Sequence, residues 1–381
     1  MADQPLDIDQ DLAKRLLVEG AIIIIRDLPP GTEFGIDLKS WNTGNKFLGV
    51  KMIPPGVHYV HYSATDQLGD TAPRSGFMYD FKTSEVVVRR WDKDAEDLDI
   101  KDVGDEEKAR VRSNLLNLDR FLGPYPFEIW KKWQSMTNKI SARLAERLMP
   151  ECGQVRSAPE MAPMPSDGDG DGDGAEEGRR GRRSGATAEE REERLLPALR
   201  PLPGTAPRLT PLPLQGWPRG ATPAEVTRHS LDSSFKLDTL LQQMDSPDEL
   251  LGELQFCFVL FLVGHSLDAF EHWKRLVRLL CGCVDALGSK PQFFVDFISV
   301  VETQVTEIPE EFLADIVANK NFVYVSLREL FRNLQDTCCE ADSRLKARGE
   351  RLARALTGRL GWDFSELELE EDDEAPVVVE L

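Results

Sequence analysis

The chain has 381 residues, 41% of them hydrophobic, a formal net charge of −20 and six cysteines. That length buries a large core and predicts two domains. The negative charge repels a phosphate backbone, the acidic start MADQPLDIDQ has no apolar leader, and no apolar run is long enough to span a bilayer. The expectation is a soluble intracellular protein, in cytoplasm and nucleus, with reduced thiols and protein rather than nucleic-acid, membrane or small-molecule partners.

A short helical segment from Asp11 to Glu19 leads into Ala21-Ile22-Ile23-Ile24-Ile25, whose β-branched residues lack a helical period and predict a strand buried on both faces. Strands follow over Thr32–Leu38, Phe47–Ile53 and Val57–Tyr62, bounded by Pro29-Pro30-Gly31, Asn42-Thr43-Gly44-Asn45 and Pro54-Pro55-Gly56. Phe77–Phe81 and Glu85–Trp91, joined by Lys82-Thr83-Ser84, read as one more hairpin, which completes an antiparallel β unit. Val111, Leu115, Leu118 and Leu122 make a helical stripe that Gly123-Pro124-Tyr125-Pro126 stops. A second helix over Phe127–Leu148 carries Trp130, Trp133, Ile140, Leu144 and Leu148 on one side, a pattern that predicts packing on the sheet.

Residues 151–219 are different material. An Asp-Gly repeat from Asp167 to Gly174, the run Arg179-Arg180-Gly181-Arg182-Arg183 and a proline-rich stretch to Pro218 bury too little apolar surface to offset an ordering cost of about 1–2 kcal/mol per residue, which predicts a disordered linker. Asp167, Asp169, Asp171 and Gly172 begin like a calcium loop, but Gly178 stands where a bidentate Glu is required. The arginine run has acidic residues on both sides and reads as a solvated segment.

A second domain opens at Thr222-Pro223-Ala224-Glu225, a helix start with proline in the first turn and Glu placed to close a capping box; Ser246-Pro247-Asp248-Glu249 repeats the logic. Leu250–Leu280 is its centre. The apolar run Phe256–Val263 predicts a buried helix, and after Gly264-His265-Ser266 the residues Phe270, Trp273, Val277 and Leu280 recur at helical spacing. Gln292–Val305, Pro309–Val317, Val323–Cys338 and Ser343–Leu360 supply further helices, six to eight in all. The fold class is therefore α+β in two domains: an N-terminal antiparallel β-sandwich-like domain with packed helices over residues 11–150, and a C-terminal all-α domain over residues 220–362. The linker joins them, and residues 363–381 form an acidic tail.

No catalytic, cofactor-binding or metal-binding set emerges. Gly264-His265-Ser266-Leu267-Asp268 has Asp where a nucleophile elbow needs Gly and follows a helix, not a strand. Cys281 and Cys283 with Cys338 and Cys339 lack the spacers of a zinc site and read as core thiols. His58 and His61 fall on opposite faces of a strand, and His265 and His272 lie beside apolar helices. A hydrolase reading requires clustered polar side chains in a pocket of the β unit. The tail is different: Pro376, Val377, Val378, Val379, Glu380 and Leu381 are β-prone, stand alone after the acidic run Glu366–Glu374, and need a sheet edge, either this protein's own or a partner's.

Gly31-Thr32-Glu33-Phe34-Gly35-Ile36-Asp37, the segment Lys46–Gly56 and Phe121-Leu122-Gly123-Pro124-Tyr125-Pro126 resemble the N-terminal domain of the Aar-two splicing-factor family. Gly220–Glu225, Leu251–Phe256 and Ala269–Leu276 resemble its C-terminal helical domain, and Ala375–Leu381 resembles its tail. The resemblance implies an assembly factor without enzymatic activity. It implies binding to the large scaffold protein of the U-five small nuclear ribonucleoprotein, through that partner's ribonuclease-H-like and Jab/MPN-like domains, and delayed loading of the spliceosomal helicase. By the same analogy Val377–Val379 add a strand to the partner, and two-domain-plus-tail contact raises affinity. The alternative is a generic adaptor that uses its helical domain as a peptide-binding surface.

Overall fold

The computed structural model describes residues 10–65, 71–99, 101, 103–158, 160–163, 199–308, 321–336 and 343–364. The isoleucine run sets the N-terminal architecture. After helix α1 (Gln10–Glu19), strand β1 (Ala21–Arg26) lies at the middle of a five-stranded sheet. Its neighbours are β4 (Gly49–Ile53), antiparallel, and β7 (Val86–Asp92), parallel, with β8 (Asp97–Asp99) and β9 (Leu122–Pro124) outermost. Ile23 and Ile25 join Val50 and Ile53 in the main core, while Ile24 joins Val86, Val88, Val111 and Leu122 in a second cluster on the other face. Val111 comes from α2 (Asp105–Ser113), and Leu115 and Leu118 of α3 (Leu115–Leu118) cover the same face. Both faces of β1 are thus buried, as its composition requires.

A second sheet, wholly antiparallel, has the order β10 (Val155–Arg156), β6 (Ser75–Phe81), β5 (Gly56–Ser63), β2 (Glu33–Ile36) and β3 (Lys39–Asn42). Phe34, Ile36, Val60 and Phe77 of this sheet share the main core with Ile23 and Ile25, which makes the domain sandwich-like.

The expected hairpin of β6 with β7 does not form, and the β unit is mixed rather than antiparallel throughout. The turn after β6 carries the chain from one sheet to the other. Ser84, at φ 55°, donates its N–H to the Glu19 carbonyl at 2.8 Å and its Oγ to the Val18 carbonyl at 2.7 Å, and Ile22 N–H donates to the Glu85 carbonyl at 2.8 Å. Those bonds deliver β7 to the open side of β1, where its buried valines find a partner that β6 cannot offer.

The single helix expected over Phe127–Leu148 is two: α4 (Trp130–Thr137) and α5 (Ala142–Leu148). Ser141 caps the second, its Oγ accepting from Leu144 N–H at 3.1 Å. Trp133 is fully buried and donates Nε1–H to the Val57 carbonyl at 2.9 Å, so the tryptophan stripe does pack on the sheet.

The flanks of the expected linker are structured. β10 pairs with β6, Gln154 donates to the Leu98 carbonyl at 2.7 Å, and Arg208 donates to the carbonyls of Met149 (2.7 Å) and Glu146 (2.6 Å). Leu209 and Leu212 pack against the core, and β11 (Met161–Pro163) pairs with β12 (Leu199–Pro201). The proline- and leucine-rich stretch that follows is tied down by single bonds rather than by a ladder: Arg208 N–H donates to the Leu148 carbonyl at 2.8 Å and Thr210 N–H to Glu253 at 2.6 Å. The Asp-Gly and arginine runs fall in residues 164–198, outside the described residues.

The helical domain contains α6 (Pro223–Leu231), α7 (Ser234–Leu241), α8 (Pro247–Leu262), α9 (Leu267–Cys281), α10 (Asp285–Ser289), α11 (Pro291–Glu307), α12 (Phe322–Asp336) and α13 (Ser343–Leu360), eight helices among the described residues. The segment Pro309–Val317 lies outside them. Both bonds of the capping box at Thr222 and Glu225 are made. In α8 every residue from Leu250 to Phe261 is buried. No helix among the described residues is long and apolar enough to cross a membrane.

The two domains are docked. Trp133, Leu144 and Leu148 belong to the same buried cluster as Leu250, Leu251 and Leu254. At Gly252 the backbones pass close, and a Cβ added there runs into the Lys139 carbonyl oxygen and Leu144 Cδ2. Alanine improves the intrinsic helix propensity by about 1 kcal/mol, but the obstruction includes backbone that cannot swing aside. Gly252→Ala is therefore expected to lower unfolding stability by about 1–3 kcal/mol and to speed proteolysis between α5 and α8, as read by urea titration and timed digestion.

Candidate protein-interaction site

The arrangement nearest to catalytic chemistry is Asp37, His58 and Tyr125. Asp37 sits at φ 55° in the turn between β2 and β3, a conformation Asp tolerates. Its carboxylate accepts from Tyr59 N–H at 3.0 Å and from Tyr125 Oη at 2.5 Å, and His58 Nδ1 lies 2.7 Å away. The other ring nitrogen of His58 meets the Pro54 carbonyl at 2.8 Å, and Trp130 and Trp133 stack on its ring. Asp37, His58 and Tyr125 are all 0% exposed. Burial, and then the Asp37 charge, push the Tyr125 phenol far above its ordinary range. The cluster is a closed polar knot that ties β2, β5 and the chain before α4, with no room for a substrate.

The remaining candidates are architectural too. Ser266 caps α9, its Oγ accepting from Ala269 N–H at 3.3 Å. Cys257, Cys281 and Cys283 are buried, and burial pushes all three thiols up, away from the reactive thiolate. Cys338 and Cys339 lie outside the described residues. Among the described residues no three His, Cys, Asp or Glu side chains gather as a metal site. A cleft of about 820 Å³ in the β domain is lined by Leu28, Pro29, Pro30 and Trp91 together with the charged residues Asp27, Lys93 and Glu96, and among the described residues no His or Cys reaches its walls.

The polar groups that matter most lie on the seam between the domains. Gln255 Oε1 accepts from Lys139 N–H at 2.8 Å, its Nε2 donates to Asn138 Oδ1 at 2.9 Å, and Lys139 Nζ reaches Asp248 (2.9 Å) and Asp296 (3.3 Å). Glu253, two residues earlier, accepts from Thr210 N–H and Oγ1, both at 2.6 Å, with His272 Nε2 at 3.1 Å. Burial alone raises the Glu253 pKa, but the bonds from His272 and Thr210 outweigh it and hold the carboxyl below its ordinary value. This carboxylate fastens the returning chain at Thr210 onto α8 and α9. Two polar residues inside an otherwise apolar helix were the sequence signal for this seam.

At its other end, Arg74 donates to the Val263 carbonyl at 2.9 Å and pairs with Glu33 at 2.7 Å, with His265 Nε2 at 3.2 Å. His61 lies beneath them, 2% exposed, with Nε2 3.3 Å from the Asp37 carbonyl.

Two features face outward as possible contacts for another chain. The outer edge of β3 is open, with Lys39, Ser40 and Asn42 exposed, whereas β9 at the edge of the other sheet ends in Pro124. The chain leaves α13 through Gly361 and runs by Trp362 and Phe364 toward the acidic tail. Pro376, Val377, Val378, Val379, Glu380 and Leu381 lie outside the described residues.

Fold and site together define a two-domain α+β protein whose polar clusters serve its architecture. Residues 19–150 match the AAR2 N-terminal domain and residues 209–365 the AAR2 C-terminal repeat region. The second match begins at the leucines that rejoin the core, ahead of the boundary expected at residue 220. The chain is 42% identical to the protein AAR2 homolog of Mus musculus over 385 residues and to that of Homo sapiens over 382, in both cases covering 99% of this chain and 97% of the relative. It is 32% identical to the protein AAR2 homolog of Caenorhabditis elegans over 354 residues, 91% of this chain and 95% of that one. The chain belongs to the AAR2 family.

Burial, then the Arg74 charge, push the His61 pKa down to about 3, against about 6.5 in an unfolded chain. Between those values the unfolded chain binds a proton that the folded one does not, so stability is lost as the pH is lowered from about 6.5 toward about 3, by at most about 1.4 kcal/mol per unit from this group. His61→Gln, which keeps a donor toward Asp37, is expected to flatten the decline below about pH 6.5 by up to one proton's worth. Urea midpoints taken from pH 7.5 down to about 5 give the comparison.

Proposed function

We propose that this protein is a pre-mRNA splicing assembly factor. It binds the large scaffold protein of the U-five small nuclear ribonucleoprotein during biogenesis of the particle and delays loading of the helicase. It acts without catalysis, in cytoplasm and nucleus. Membership of the AAR2 family across both domains carries this reading. The docked domains support it, since a rigid pair offers a wide surface at little cost in conformational entropy on binding.

In this reading Pro376–Leu381 add a strand to the partner, Val377, Val378 and Val379 supplying main-chain hydrogen bonds, and the acidic run Glu366–Glu374 serves as tether. The bivalent contact raises affinity through effective concentration. The ribonuclease-H-like and Jab/MPN-like domains of the scaffold are the expected docking partners.

Capture of the scaffold from extract by the intact chain, and by a chain lacking Pro376–Leu381, tests both parts. The intact chain is expected to bring down scaffold without helicase, and truncation to weaken capture by about tenfold or more. Capture that is unchanged by truncation removes the tail from the mechanism. Failure of both chains to capture the scaffold removes the assembly role.

A further inference from the structure

Strand β3 has a neighbour on one side only. In the β2–β3 hairpin Ile36 pairs with Lys39 and Phe34 with Trp41, and the ladder continues where Thr43 donates its N–H to the Thr32 carbonyl at 2.9 Å. Asp37 N–H turns the other way, to the Tyr59 carbonyl of β5 at 2.7 Å. The alternation of an antiparallel ladder then aims the main-chain groups of Lys39, Trp41 and Thr43 at β2, and those of Ser40 and Asn42 away from it. Among the described residues the N–H and C=O groups of Ser40 and Asn42 meet no main-chain partner. The other outermost strands, β8, β9 and β10, have two or three residues each.

This edge is held from both ends. The turn residue Asp37 is the carboxylate that Tyr59 N–H, Tyr125 Oη and His58 Nδ1 surround, so the buried knot fixes the start of β3. Thr43, itself buried, fixes the finish by donating Oγ1 to the Thr32 carbonyl at 3.0 Å. A strand with one neighbour ordinarily frays, whereas here its ordering is complete before anything binds. One face of β3 is distinctive. Trp41 stands half-buried against Phe34 and Phe47, with ring centroids 5.9 and 6.0 Å away. Lys39 on the same face pairs with Glu128 at 3.4 Å, each side chain about half exposed.

We propose that β3 receives an extended segment of a partner protein as a sixth, antiparallel strand of this sheet, with paired main-chain bonds to Ser40 and Asn42. The segment carries an apolar residue opposite Trp41 and, two residues on, a carboxylate opposite Lys39. Both fall at non-hydrogen-bonded positions of the new ladder, where cross-strand side chains come closest, with Cβ atoms about 4.5–5.5 Å apart. The apolar side chain extends the cluster of Phe34, Trp41 and Phe47, and the carboxylate joins an exposed ion pair that exchanges partners readily. A second copy of this chain is a poor occupant, since two four-residue edges meet over far less than the area of about 1,000 Å² that a stable dimer needs. In this contact the chain accepts a strand, whereas the tail described above supplies one, so the two stand or fall separately.

Backbone amide shifts of the full chain, titrated with the end-blocked peptide Ser-Thr-Val-Thr-Glu-Thr-Ser and with a second probe that has Lys in place of Glu, test the proposal. The amide protons of Ser40 and Asn42 are expected to move downfield together as the glutamate probe is added. Lys39→Glu is expected to weaken that probe about three- to fivefold and to favour the lysine probe by a similar factor. Asn42→Pro removes an outward N–H and no bond to β2, so it is expected to keep the urea midpoint and to weaken either probe about five- to tenfold. Should that variant disturb the fold, the exchange of preference at Lys39 decides alone. Amides of Ser40 and Asn42 that stay unmoved, or a preference that Lys39→Glu does not exchange, overturn the proposal. Binding that appears only after removal of Pro376–Leu381 assigns the edge to the chain's own tail, and shifts that follow protein concentration alone assign it to a second copy; either result overturns it too.

Discussion

Everything in this molecule follows from one helix that has no solvent face. From Leu250 to Phe261 α8 is buried all round, so it must be covered on every side. The helices α9 and α11 cover part of it, and α4 and α5 of the N-terminal domain cover the rest. Separating the domains would expose Leu251 and Leu254 together with Gln255, whose partners Asn138 and Lys139 lie in the N-terminal domain, whereas Glu253 keeps His272 beside it. A buried polar group without its partner costs about 1–3 kcal/mol, and more if it is charged. Hydrophobic burial supplies the adhesion and Gln255 supplies the register.

The sequence is legible wherever one residue type dominates a local choice. The four isoleucines state that β1 is buried on both faces, Thr222 and Glu225 state where α6 begins, and the spacing of Trp133 and Leu144 states which side packs inward. It is illegible where a partner far along the chain decides. Nothing near Asn138 says that Gln255 will take the Lys139 amide and split one helix into two, and nothing near Ser84 says that the carbonyls of Val18 and Glu19 will draw the turn across to the other sheet. Proline-rich composition similarly hides an extended segment that buries Thr210 and packs Leu209 and Leu212. The tail was singled out by its isolation in sequence, and local pattern alone does not decide between an edge of this protein and an edge of another.

Polar chemistry in this fold is spent on assembly of the fold itself. Asp37, His58 and Tyr125 have the residue types of an active site, yet Trp130 and Trp133 close over them. Glu253 and His272 hold a segment in place, and the buried cysteines are protonated ballast in a dense core. A protein organised this way meets others with its outer surface, where the edge of β3 is open.

The parallel pairing of Ile22–Arg26 with Val86–Arg90 also sets the order of events during synthesis. The isoleucine strand leaves the ribosome about sixty residues ahead of the strand that pairs with its second edge, and more than two hundred ahead of the helix that seals the far side of α4 and α5. Five consecutive residues of this kind, uncharged and free of proline, are the sort of segment that associates with copies of itself. The nascent N-terminal domain therefore needs shelter for as long as the translation of its own second half takes.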